Sequence, residues 1–126
     1  MQRLLIVDDE EDVREFAANF FRKRKLDVAT AASGEEALES VKSNRPDLVL
    51  LDIRMGGMSG IQALAEIKKI DKEIKVIMVT GTRPEDNECY HECISLGACG
   101  YVHKPLELRE LELVVMTTLE PQGKAN

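Results

Sequence analysis

No stretch of this sequence is long and apolar enough to cross a membrane as a helix. Such a span takes about 20 consecutive apolar residues, and the best runs, Leu48 to Leu51 and Val76 to Val79, stop far short. A secretory leader is missing too. The apolar stretch Leu4 to Val7 runs straight into Asp8, Asp9, Glu10, Glu11 and Asp12. Positive charge is short: 17 Lys and Arg face 23 Asp and Glu, for a formal net charge of −6. An acidic chain repels nucleic acid unless it carries a separate basic face. The basic run Arg22-Lys23-Arg24-Lys25 is either a polyanion patch or the exposed C-terminal turn of a helix, where cations complement the dipole. The second reading is preferred, and neither nucleic acid nor a membrane is an expected partner. Cysteines are few: Cys89, Cys93 and Cys99 make an odd number, which suits no disulfide framework. A reducing cytoplasm is the expected location. Internal repeats, low-complexity segments and an interdomain linker are all absent.

What is present is the composition of a globular domain, 44% hydrophobic and 32% charged over 126 residues, which excludes a disordered chain, a collagen and a bare coiled coil. A chain of this length buries roughly two thirds of its unfolded surface and folds without staples. Short apolar runs alternate with amphipathic stretches. Leu4 to Val7, Leu26 to Ala31, Leu48 to Ile53, Ile74 to Val79 and Tyr101 to His103 read as strands, with Leu26 to Ala31 nearer an edge because Val28 and Thr30 are mixed. Glu11 to Lys23 reads as a helix with Val13, Phe16, Ala17 and Phe20 on its apolar face. A second helix opens at Ser33-Gly34-Glu35-Glu36, with Ser33 as N-cap and Glu36 as its capping-box partner, and presents Ala37, Leu38 and Val41. Asn44 to Asp47 is a turn, Gly56-Gly57 and Gly60 punctuate a loop, and Ile61, Leu64, Ala65 and Ile67 mark a third helix. Arg83-Pro84-Glu85-Asp86 suits a loop before a helix from Glu88 to Leu96 that stops at Gly97; Leu106 to Leu119 is the last helix, and 120–126 a polar tail. Five β-α units with strands apolar throughout predict an α/β fold: a doubly wound parallel sheet with helices on both faces and right-handed crossovers.

In such sheets ligands bind beyond the carboxyl ends of the strands. Asp8 and Asp9 follow strand 1, Asp52 ends strand 3, Thr80 ends strand 4 and Lys104 ends strand 5, whereas strand 2 offers only Ala31-Ala32. Three carboxylates brought together raise one another's pKa unless a cation sits among them. Hard oxygen ligands without His or Cys select Mg²⁺ or a similar ion rather than zinc. Lys104 adds a point charge and Thr80 a hydroxyl donor. Such a set accommodates a tetrahedral dianion, and Asp52 is placed to become an aspartyl phosphate. Taken singly, each residue has a plainer reading: Asp8 or Asp9 as a helix N-cap, Asp52 as the start of a turn, Lys104 as a solvated side chain. Those readings do not explain why all of them gather at one edge.

Ile6-Val7-Asp8-Asp9-Glu10, Pro46 to Met55, Met78-Val79-Thr80-Gly81, Gly97-Ala98 and Tyr101-Val102-His103-Lys104-Pro105 resemble the receiver domain of two-component response regulators. The resemblance covers Arg3 to about Leu119 and implies a receiver domain over 1–119. Its implied fold is flavodoxin-like, (βα)5, with strand order 2-1-3-4-5. It implies that Asp52 accepts a phosphoryl group from a histidine kinase or phosphotransfer protein. Asp9 would bind Mg²⁺ directly and Asp8 partly through water, with the backbone carbonyl of Arg54 completing the protein ligands. Lys104 would pair with the phosphoryl group. Thr80 would move toward it and Tyr101 would follow inward, reshaping the face of helix 4, strand 5 and helix 5 that meets a downstream protein. The Lys104-Pro105 peptide would be cis. Such a protein is a phosphoacceptor switch that catalyses its own phosphotransfer and slow dephosphorylation, rather than an enzyme acting on a separate substrate.

The sequence departs from the family at Gly56, where Pro usually follows the Met, and the segment between Thr80 and Gly97 looks slightly long. Cys89, His91, Cys93, Cys99 and His103 invite a metal or redox reading. With no C-x-x-C pair and Cys93 standing where receivers place a small inward Ala, packing or incidental surface placement is preferred. Phe20 and Phe21 are adjacent, so either one serves a docking face on helix 1 or the core stripe is broad. An aspartyl-nucleophile phosphohydrolase would want an acid two residues after the nucleophile, where Arg54 stands. A flavin or nucleotide domain would want a Ser/Thr/Gly-rich loop where Asp8 to Asp12 lie. A scaffold that binds partners without phosphorylation leaves Thr80 and Lys104 unexplained. The expected output is protein contact, either as a single-domain switch or as a receiver cut from a longer protein.

Overall fold

Every side chain of Leu48–Asp52 is buried, whichever way it points. That is the signature of a central strand covered on both sides. The computed structural model describes residues 2–81, 90–105 and 107–119. The loop read at Arg83 to Asp86, the helix start at Glu88, Cys89, Leu106, the polar tail 120–126 and the length of the segment after Thr80 fall wholly or partly outside the described residues.

The order of elements is β1 (Arg3–Val7), α1 (Glu11–Arg22), β2 (Asp27–Ala31), α2 (Gly34–Ser43), β3 (Leu48–Asp52), α3 (Gly60–Ile70), β4 (Lys75–Thr80), α4 (Tyr90–Ser95), β5 (Gly100–His103) and α5 (Leu108–Leu119). The strands form one parallel sheet in the order β2-β1-β3-β4-β5. The chain thus winds one way from β1 to β2 and the other way from β3 onward. That reversal opens a crevice at the carboxyl ends of β1 and β3.

The period-two alternation of the strands divides the core in two. Leu5, Val7, Val49, Leu51, Val76 and Met78 pack against Ala37, Val41, Ala63, Leu64, Ile67 and Cys93. Leu4, Ile6, Leu48, Leu50, Ile77 and Val79 pack on the other face against Ala17, Ala18, Phe21, Leu111, Val115 and Leu119. β2 is an edge strand with only Ala31 buried, as its mixed composition predicts.

Two local readings need correction. On α1, Phe16 is 59% exposed, and the buried face is Ala17, Ala18 and Phe21. Consecutive helical side chains differ by about 100°, so a run with Phe16, Phe20 and Phe21 tolerates a stripe turned by one position. The stripe is broad: Phe21 is fully buried, while Phe20 packs partly against the core under the Arg24 guanidinium, 3.6 Å from its ring centre. Arg24 also pairs with Glu112 of α5 at 2.7 Å, so the basic run closes α1 and grips the neighbouring helix. At α2 the Ser33 hydroxyl accepts from Glu36 N–H, but the Glu36 carboxylate accepts from Ala32 rather than from Ser33. The reciprocal capping box occurs instead at α3, between Ser59 and Gln62. Neither Asp8 nor Asp9 caps α1; Glu10 occupies that position.

Candidate functional site

The crevice at the end of β1 and β3 holds the charged residues. Asp8 and Asp52 are both 4% exposed, and Asp9, one residue further along, is exposed. One carboxylate oxygen from each of Asp8, Asp9 and Asp52 lies within 4.8 Å of the others. This acidic pocket could hold a metal ion. Lys104, arriving from the end of β5, places Nζ 3.1 Å from Asp8 Oδ2, 3.1 Å from Asp52 Oδ2 and 3.3 Å from Glu10 Oε1. The second oxygen of each buried carboxylate takes a backbone donor: Asp8 Oδ1 accepts from Glu10 N–H at 2.9 Å, and Asp52 Oδ1 from Arg54 N–H at 3.2 Å. Arg14 Nη1 donates to the Asp8 carbonyl at 2.8 Å, tying the first turn of α1 to the strand end.

Among the described residues, one ammonium serves Asp8, Asp52 and Glu10, with Asp9 beside them. Burial pushes the Asp52 carboxyl up to about 6; Lys104 pulls it down, Asp8 pushes it up, and the Arg54 N–H pulls it down. The direction is the expected one, but burial outweighs the neighbouring carboxylate as its cause. Burial alone would lower the Lys104 ammonium, yet Asp52 and Asp8 outweigh it and hold the group raised and charged. A buried carboxylate that resists ionising with two further acids within 4.8 Å is chemistry that a hard divalent cation relieves. The residues present therefore fit Mg²⁺.

Thr80, at the end of β4, is fully buried, and its Oγ1 has no hydrogen-bond partner among the described residues. Its carbonyl accepts from Lys104 N–H at 2.7 Å, which joins the ends of β4 and β5. The Lys104-Pro105 peptide that follows is cis, as expected. Tyr101 is half-buried on β5, with its ring 5.2 Å from that of Tyr90 on α4 and 5.7 Å from that of His103. Arg54 is exposed. Cys93 is buried in the core and Cys99 is exposed; among the described residues, the acidic trio is the one cluster of three with ligand atoms close enough for a metal.

Two residues of this neighbourhood were not assigned a role from the sequence. Glu10 reaches Lys104, and its signal was a third acid after the Asp8-Asp9 pair. Gly60 opens α3 directly against the end of β3: a Cβ there would collide with the Asp52 carbonyl oxygen and the Ile53 Cα. Gly60 N–H donates to the Ile53 carbonyl at 2.9 Å, closing the loop that carries Arg54. The Ser59-Gly60 pair was its signal, as a helix start that demands close backbone approach.

The profile described as the response regulator receiver domain matches residues 4–116. The chain belongs to this family. Receiver domains interact with histidine kinases and phosphotransfer proteins. This receiver is 38% identical over 110 residues to sporulation initiation phosphotransferase F of Bacillus subtilis, spanning 87% of each chain. It spans only 26% and 53% of the length of other curated relatives that it matches. Among solved structures it resembles the receiver domain of NtrX from Brucella abortus, with a TM-score of 0.87, 33% identity and coverage of 94% of this chain and 99% of that one. It also resembles the response regulator TrrA of Thermotoga maritima in complex with Mg²⁺-BeF, with a TM-score of 0.83, 36% identity and coverage of 94% and 100%. Among the described residues, no helix is long and apolar enough to cross a membrane.

Proposed function

We propose that this receiver takes a phosphoryl group onto Asp52 from a phosphohistidine of a histidine kinase or phosphotransfer protein, and that the phosphorylated form changes its protein contacts. The observation that carries the reading is one ammonium, Lys104, held 3.1 Å from two buried carboxylates, Asp8 and Asp52, with a third acid beside them. An Asp52 oxygen forms the new O–P bond as the N–P bond of the donor breaks. The electron pair leaves with the imidazole nitrogen, which takes up a proton from solvent. Lys104 then turns from the carboxylate to the phosphoryl oxygens and neutralises charge where it develops. Hydrolysis returns the free carboxylate and inorganic phosphate.

Asp8, Asp9, Asp52 and the backbone carbonyl of Arg54 would hold Mg²⁺. When bound, the ion supplies Lewis-acid stabilisation of the transferring phosphoryl oxygens. TrrA, similar to this chain over its whole length, is a complex with Mg²⁺-BeF. Thr80 and Tyr101 would relay the change: a dianion on Asp52 attracts the unpartnered Thr80 hydroxyl, and Tyr101 moves into the space behind it. The face formed by α4, β5 and α5 would then engage a downstream protein. A net charge of −6 supports output through proteins rather than nucleic acid, and a cytoplasmic setting matches the proposed phosphodonors.

Intact-mass measurement after incubation with acetyl phosphate and Mg²⁺ tests the reading. One added phosphoryl group is expected on wild type and none on Asp52→Ala; undiminished labelling of the variant would overturn the assignment. Because Asp9 is exposed, Asp9→Asn should fold normally while losing Mg²⁺ affinity on the order of ten-fold or more. An unchanged titration would move the metal away from Asp9.

A further inference from the structure

A lysine ammonium has three N–H donors. In Lys104 all three have a carboxylate within reach: Asp8 Oδ2 and Asp52 Oδ2 at 3.1 Å, and Glu10 Oε1 at 3.3 Å. The first two are buried; the Glu10 side chain is 64% exposed. Glu10 is also the N-cap residue of α1, yet its side chain makes no capping bond. Its backbone N–H is taken by Asp8 Oδ1, so the start of the helix is fixed without it. The carboxylate that a shorter residue would spend on the helix end is directed at Lys104 instead.

We infer that Glu10 is a positioning residue that holds back the Lys104 ammonium and so slows phosphorylation of Asp52 by small anionic donors. The inference rests on the proposed function of Asp52. When the O–P bond forms, the charge leaves the Asp52 oxygen for the phosphoryl group, and Lys104 must follow. Of its two remaining partners, Asp8 is buried and costly to release, whereas Glu10 sits at the surface and rehydrates at little cost. Glu10 is therefore the partner exchanged, and until it is exchanged it occupies the donor that the phosphoryl group needs.

The test uses the full chain with Mg²⁺ and acetyl phosphate, following initial rates by intact mass for wild type, Glu10→Gln, Lys104→Met and the double variant. Glu10→Gln removes the charge without touching a capping bond and should be roughly two- to five-fold faster, the scale of one exposed ion pair. The gain should shrink at high salt and vanish in the Lys104→Met background, which a merely structural role would not produce. In the metal-free protein, the ¹⁵N signal of the Lys104 ammonium should shift on Glu10→Gln. A Glu10→Gln rate equal to or below wild type, or the same gain without Lys104, overturns the inference while leaving Asp52 as acceptor. A wild type that takes up no phosphoryl group overturns the proposed function itself.

Discussion

Lys104 Nζ stands 3.1 Å from Asp52 Oδ2, although the two residues are 52 positions apart. The same nitrogen is 3.1 Å from Asp8 Oδ2. Two buried carboxylates thus share one ammonium, and removing it leaves both without their main compensation. Lys104→Met should lower stability in EDTA by about 3 kcal/mol near neutral pH. Urea unfolding should show part of the loss restored by Mg²⁺. Equal stability of the two proteins would mean that the carboxylates are better solvated than their burial implies.

The Asp52 carboxyl itself makes stability depend on pH. Burial raises it to about 6 against an ordinary 3.8, despite Lys104. The folded protein therefore holds this proton more tightly than the unfolded chain. The associated stability is fully present below 3.8 and is lost as pH rises through about 6. In EDTA near neutral pH, Asp52→Asn should be more stable than wild type by up to about 3 kcal/mol. The gap should close as the pH falls toward the unfolded value. Thermal melts across that range measure it, and a gap that widens in acid would reverse the sign of the shift.

The buried Thr80 hydroxyl gives a prediction in which stability and function part. Its Oγ1 has no partner among the described residues, and a buried unpaired hydroxyl costs about 1–3 kcal/mol. Thr80→Val keeps the shape and removes that cost, so the unphosphorylated protein should gain about 1 kcal/mol. The same variant should still accept phosphate at Asp52 yet respond weakly at Tyr101. NMR spectra with and without beryllofluoride separate the two effects. An equal shift of Tyr101 in both proteins would remove the hydroxyl as the coupling group.

Gly60 sets a steric limit on the acceptor. A Cβ at this position would meet the Asp52 carbonyl and Ile53 Cα, which are backbone and cannot swing aside. Gly60→Ala should destabilise the protein by about 2 kcal/mol or more, since overpacking against backbone shifts the strand end. Phosphorylation should slow as well, because the displaced segment carries Asp52. A variant of wild-type stability and rate would show that the loop gives way without moving β3.

The identity of the site residues was legible in the sequence because polar groups interrupt apolar runs. Asp52 ends Leu48 to Leu51, Thr80 ends Val76 to Val79, and Asp8 follows Leu4 to Val7; a parallel α/β sheet places all such ends on one edge. Uninterrupted apolar runs also pointed to a parallel sheet covered on both faces, because strands apolar on both sides need helices over each. Periodicity did not resolve the face of α1, where neighbouring apolar residues blur a 100° step, and Phe16 rather than Phe21 faces solvent. Nor could spacing show that Glu10 forgoes its helix cap for Lys104, that the Glu36 carboxylate serves Ala32, or that Gly60 lies against Asp52. Each of these depends on atoms brought together from distant segments. Local sequence determines which side chains are available at the edge; only tertiary packing sets which partner each reaches, because a difference of one ångström decides whether two charges pair or a Cβ fits.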